Sequence, residues 1–145
     1  MKAALAAAAL LLAAACSDAS GPAGVVRVRT DASGYRLPGS GSPVSVGFTV
    51  RNTGSEPIAV SGCGGGSVAA SIDRREAGGW VEVFSCDYLP ALAIYASPRV
   101  LAPGEVVEGT TSVGGAGRYR IRVRVAQGEG AELPDAVSPD FVVAR

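Results

Sequence analysis

The chain has 145 residues, thirteen Lys and Arg against thirteen Asp and Glu, and no histidine. Such a balance argues against nucleic acid as a partner, because nucleic-acid-binding domains are usually strongly basic. The lack of histidine removes the usual general base, the Ser-His and Cys-His nucleophile pairs and the commonest ligand for zinc or copper. The expectation is a chain without a cofactor and without catalytic activity.

In chain order, Lys2 precedes thirteen apolar residues from Ala3 to Ala15, and Cys16 closes the run. That run is too short to cross a bilayer core, which takes ~20 residues of helix. A short cationic region, an apolar stretch and small residues at its end predict a helical export signal over 1–15. Its ending, Ala13-Ala14-Ala15-Cys16, resembles the bacterial lipobox, although Ala13 stands where that pattern prefers leucine. The resemblance implies that the Cys16 thiol receives a diacylglyceryl group and that cleavage falls just before it. The membrane then becomes a partner through an N-terminal lipid anchor, since two or more acyl chains attach a protein stably. Ser17, in place of an aspartate, resembles the default sorting of Gram-negative lipoproteins to the outer membrane. A plain secretory signal with an incidental cysteine is the alternative. Residues 16–23 are small and polar, with nothing to pack a core, and read as a flexible tether.

The rest, 24–145, fits one domain. After Lys2 its cations are all arginine, twelve of them. Glycine and proline punctuate short β-branched runs, which is the pattern of a sandwich or barrel of seven or eight strands. Strands are expected at Gly24–Thr30 and Val44–Asn52, where Val44, Val46, Phe48 and Val50 share one face. A turn over Asn52–Pro57 leads to a short piece at Ile58–Val60. Ser67–Asp73 and Trp80–Phe84 read as a hairpin around "RREAGG". "LAPGE" (Leu101–Glu105) is a tight turn with Pro103 and Gly104 in the favoured positions. "GRYRIRVRV" (Gly117–Val125) is a strand, "QGEGAELPDAVSP" a loop, and "DFVVAR" a final strand.

Cys63 and Cys86, an even pair in an exported chain, read as a disulfide. With 22 residues between them, loop entropy gives about 3.5 kcal/mol of stabilisation. A reactive thiol pair is the alternative, without the CxxC spacing it would want.

"FTVRNTGSEPIAV", "LAPGE" and "GRYRIRVRV" stand in the order found in bacterial immunoglobulin-like sandwiches. They are similar to the BsuPI-type proteinase-inhibitor fold and to many small exported lipoproteins. The likeness runs from about Val44 to Val125 and implies an antiparallel β-sandwich. Gly117 and Tyr119 resemble the tyrosine corner that opens strand F of such domains. Neither the Phe48 strand nor the Tyr119 strand carries a cysteine, so the Cys63–Cys86 pair is not the inter-sheet bridge of antibody domains.

Arg118, Arg120, Arg122 and Arg124 share one face of their strand. The preferred reading is a solvated face whose charge is offset by acids on adjacent strands, with Asp73, Glu82 and Asp140 as candidates. An anion-contact face for a phosphate-rich envelope partner is the alternative. Asp73, Glu76, Glu82 and Asp87 cluster like a glycosidase pair, yet a small sandwich has little room for the sugar. Calcium binding by these acids, or by Asp135 and Asp140, lacks any EF-hand-like spacing. "GCGGGS" (Gly62–Ser67) lacks the lysine and following helix of a phosphate loop. Trp80 is expected in the core, against the disulfide or the opposite sheet, with an exposed stacking role as alternative. The functional expectation is a non-catalytic, lipid-anchored module that binds an envelope protein. An inhibitor of an exported hydrolase is the second possibility.

Overall fold

The computed structural model describes residues 25–63, 67–86, 97–127 and 130–145; the export signal, Cys16, the tether and Asp87 lie outside them. Strict period-two alternation builds the small sheet. In β3 (Val44–Asn52), Val46, Phe48 and Val50 are buried while Ser45 and Arg51 are exposed. Antiparallel β1 (Val26–Thr30) and β10 (Val106–Val113) pair with its two edges.

The large sheet is organised around β11 (Gly117–Gln127). Two strands share one of its edges, β13 (Phe141–Ala144) and β12 (Ala131–Val137). Two more share the other, β7 (Ser71–Glu76) and β4 (Ile58–Val60). The sheet widens through β8 (Gly79–Phe84) beside β7, β9 (Arg99–Leu101) beside β4, and β2 (Gly34–Arg36) parallel to β13. A separate ribbon joins β5 (Gly62–Cys63) and β6 (Ser67–Val68).

This is the all-β sandwich expected, with two sheets closing on one core. Among the described residues there are thirteen strand segments rather than seven or eight, because β2, β4, β5, β6 and β9 are pieces of two or three residues. Two local expectations are corrected. The stretch read as a loop after Gln127 contains β12, whose Pro134 and acids hide the period; proline is tolerated at the margin of a sheet. The hairpin is tighter than expected, since β7 begins at Ser71 and the turn is Ala77–Gly78, while Ser67–Val68 belongs to the ribbon.

Buried valines and isoleucines of both sheets meet aromatic rings between them. Phe141 is fully buried, edge-on to Tyr35 at 5.4 Å and stacked on Tyr119 at 5.9 Å between centroids. The Phe48 ring lies over Gly109, where a Cβ would overlap it. Tyr119 forms the tyrosine corner: its hydroxyl donates to the Gly115 carbonyl at 2.9 Å. Tyr35, where the chain passes from the small sheet to the large, donates to Asp31. Burial, helped by that bond, pushes its phenol up to about 12.

Asn52 locks the end of β3. Its amide nitrogen donates to the carbonyls of Glu56 (2.8 Å) and Leu101 (3.0 Å), and its oxygen accepts from the Gly54 N–H (2.9 Å). Its backbone pairs with Gly104 and Glu105. Those belong to the turn of "LAPGE", in which the Glu105 N–H donates to the Ala102 carbonyl at 3.0 Å. Gly104 takes a φ of 80° there, which fits the third position of a type II turn after Pro103. The disulfide forms between Cys63 and Cys86, with Cα atoms 6.2 Å apart, and ties the ribbon to the end of β8.

The registers define two poles. Val25, the 53–57 turn, the 102–105 turn and the end of β11 lie at one, called here the near pole. The 37–43 loop, the Ala77–Gly78 turn, the 114–116 turn and Arg145 lie at the far pole.

Asn52→Asp sets a carboxylate against two backbone carbonyls in a fully buried place. Chemical denaturation should show a loss of roughly 3 kcal/mol. Tyr119→Phe, which removes one hydrogen bond and leaves the ring, should cost about 1 kcal/mol in the same assay.

Candidate functional site

The outer face of the large sheet collects the residues with the most chemistry. Alternation in β11 points Tyr119, Ile121, Val123 and Val125 into the core and turns its four arginines outward. In register, Asp73 of β7 lies beside Arg120, and Glu82 of β8 lies beside Asp73. Regular pairing of β7 with β11 turns Ile72 inward and sets Asp73 beneath the outer side chains, both buried, while the register of β7 with β8 shifts beside them.

Asp73 is the centre of the cluster and only 3 % exposed. Arg120 donates to it through Nε at 2.9 Å, and Arg122 through Nη2 at 3.2 Å. Arg122 also holds Glu82, and Asp135 of β12 at 3.0 Å. Burial alone pulls the guanidinium of Arg122 toward losing its proton; the hydrogen bonds it donates to Asp73 and Asp135, with the charges of Asp73 and Glu82, more than reverse that. Its pKa therefore rises above the ordinary arginine value, and it stays charged at every accessible pH. Arg118 pairs with Asp140 at 3.5 Å on the surface. Arg124 is exposed and has a partner as well.

The three acids suggested by the sequence, Asp73, Glu82 and Asp140, all pair with this strand, and Asp135 joins them. Asp135, weighed in the sequence only as a calcium ligand, was missed as an ion-pair partner because β12 was read as a loop. The same ion pairs bear on other sequence-level candidates. Asp73 and Glu82 face each other across the hairpin, and Arg122 bridges them. Glu76 is apart from them, at the exposed end of β7. Asp135 and Asp140 go to different arginines. Among the described residues no group of three or more Cys, Asp or Glu is placed to hold a metal. Gly62 and Cys63, from the glycine-rich stretch, form a strand of the ribbon.

Trp80 is not in the core. It lies half-buried on this outer face, with the guanidinium of Arg120 4.6 Å and that of Arg75 5.6 Å from the ring centroid. The period of β8 held the clue: Trp80 shares its parity with Glu82, the polar side, while Val81 and Val83 take the other. The disulfide lies at the opposite end of β8 and offers the indole no contact surface there.

No family model matches the chain, and no curated protein matches it. One solved structure, a Northeast Structural Genomics Consortium target, is 14% identical, with 83% of this chain and 87% of the other covered and a TM-score of 0.48. A putative ApaA protein from Bordetella pertussis is 22% identical, with 82% and 89% covered and a TM-score of 0.46.

Replacing Asp73 by Ala leaves two guanidiniums facing each other over an apolar floor. We expect a stability loss of about 2–3 kcal/mol by denaturant titration, since the carboxylate is buried and the arginines only partly so. Arg118→Gln, at an exposed pair, should change stability by less than ~0.5 kcal/mol.

Proposed function

We propose that the chain is a non-catalytic binding module, held at the bacterial cell envelope by a lipid on Cys16, whose outer large-sheet face docks on another envelope protein. In a Gram-negative cell the Ser17 signature assigns it to the outer membrane. The observation that carries the docking face is the position of Trp80. A tryptophan kept half-buried between two arginines, on a sheet face tied together by ion pairs, has the composition of an interface hot spot. Aromatic and guanidinium groups bring contact area with little rotamer freedom left to lose, and the paired acids beneath hold them in place. The ion pairs also argue against a polyanion as the ligand of this face, because three of its four β11 arginines already meet carboxylates.

Two measurements test the two halves of this reading. Labelled palmitate should enter the wild type and be absent from Cys16→Ser, which becomes soluble; a soluble, unlabelled wild type would sink the anchor. For the docking face, a crosslinked partner recovered from membranes should fall at least tenfold with Trp80→Ala, the size of loss typical of a hot-spot truncation. An unchanged crosslink pattern in a folded Trp80→Ala protein would move the interface elsewhere.

A further inference from the structure

The two outer faces of the sandwich treat arginine differently. On the large sheet, Arg118, Arg120 and Arg122 each meet an acid. On the small sheet, Arg27 of β1 and Arg51 of β3 are directly opposed in register, and both are exposed. Among the described residues neither has an ion-pair partner. Like charges directly opposite on a sheet repel at a Cβ separation of ~5 Å, so this arrangement costs stability unless an anion lies over it. Arg29, further along the same face, has a partner of its own.

The location narrows the choice of anion. Arg27 is two residues from Val25, the first described residue, and Val25 lies at the near pole, bonded to Thr53 and Gly54. Nine positions separate Val25 from Cys16, a reach of at most ~30 Å. A lipid on Cys16 thus lets Arg27 and Arg51 reach the bilayer surface. Val106, paired with Arg51 and 46% exposed, adds an apolar contact beside the two charges. Of the acids near this pole, Glu56 and Glu132 belong to the turn before β4 and to β12, on the side of the large sheet, Glu105 pairs with Arg99, and Glu108 lies on the outer face of β10, in register with Thr49 rather than with Arg51.

We infer that Arg27 and Arg51 form a docking surface for the phosphates of anionic lipid headgroups, so that the small sheet rests on the bilayer and the Trp80 face is presented away from it. The inference rests on the anchor at Cys16, because only that tether brings the pair within the ~8 Å range of a charged surface. Each arginine near an anionic leaflet contributes a modest attraction, and the pair works as the second signal beside the acyl chains.

The test uses the protein extracted from membranes with its anchor, reconstituted in phosphatidylcholine vesicles with or without phosphatidylglycerol. Phenylglyoxal modifies accessible guanidiniums, and peptide mass mapping gives a rate for each arginine. Arg27 and Arg51 should react roughly tenfold more slowly on the phosphatidylglycerol vesicles, a protection that high salt removes. Arg36, exposed and close to the far pole, should keep its rate on both. Equal rates for Arg27 and Arg51 on the two vesicles, or equal protection of Arg36, overturn the docking surface and leave the anchor standing. A protein that floats with neither vesicle overturns the anchor, and the docking surface falls with it.

Discussion

Everything in the large sheet depends on β11 having strands on both edges over most of its eleven residues. An interior strand with unpaired N–H and C=O groups is costly, and no single neighbour in this chain is long enough to cover either side. Each edge is therefore shared by two short strands, and in each the gap is filled by a serine. Between β12 and β13, Ser138 donates its N–H to the Ile121 carbonyl at 2.8 Å and accepts the Ile121 N–H on its hydroxyl at 2.9 Å. Between β4 and β7, the Ser61 N–H donates to the Arg124 carbonyl at 3.2 Å. The side chains of β11 then serve both sides of the sheet, core inward and ion pairs outward.

That dependence explains why some of the fold is legible in the sequence and some is not. β3 and β11 are long, and their neighbours bury every second residue, so period two is written plainly; β3 was read to its end residues. The turn of "LAPGE" was legible because Pro103 and Gly104 carry backbone preferences of their own. β12, β2 and β9 follow no such period. They are short or marginal strands formed by pairing with longer ones, and β12 even contains Pro134. Asn52 was read as the start of a turn. Its larger role, joining β3 to the 102–105 turn, is a contact between residues 49 positions apart that no local pattern announces.

The outer face was partly legible for a similar reason. Alternation located the four arginines, and the hairpin brought Asp73 and Glu82 near. Trp80 went the other way, because bulk apolar surface argues for the core while strand parity argues against it. Parity prevailed, since Arg75 and Arg120 shield the ring from water on the outside and a core already filled by Phe48, Phe141 and Tyr119 has no need of it. The cluster shows how a buried carboxylate is tolerated on a sheet: Asp73 gives up solvent for two guanidiniums, and the arginine stems cover what remains.

The positions of Val25 and Arg145 at opposite poles have a mechanical consequence. Tension applied between residues at the two poles acts along the axis that joins them. Here that axis runs parallel to the strands. Tension on β1 must slide it lengthwise past β3, stretching the bonds of five residue pairs together rather than opening them one after another. Peeling an outer strand from its end would break the same bonds singly and at lower force. Tension between the two poles thus meets the sandwich in its stiff direction.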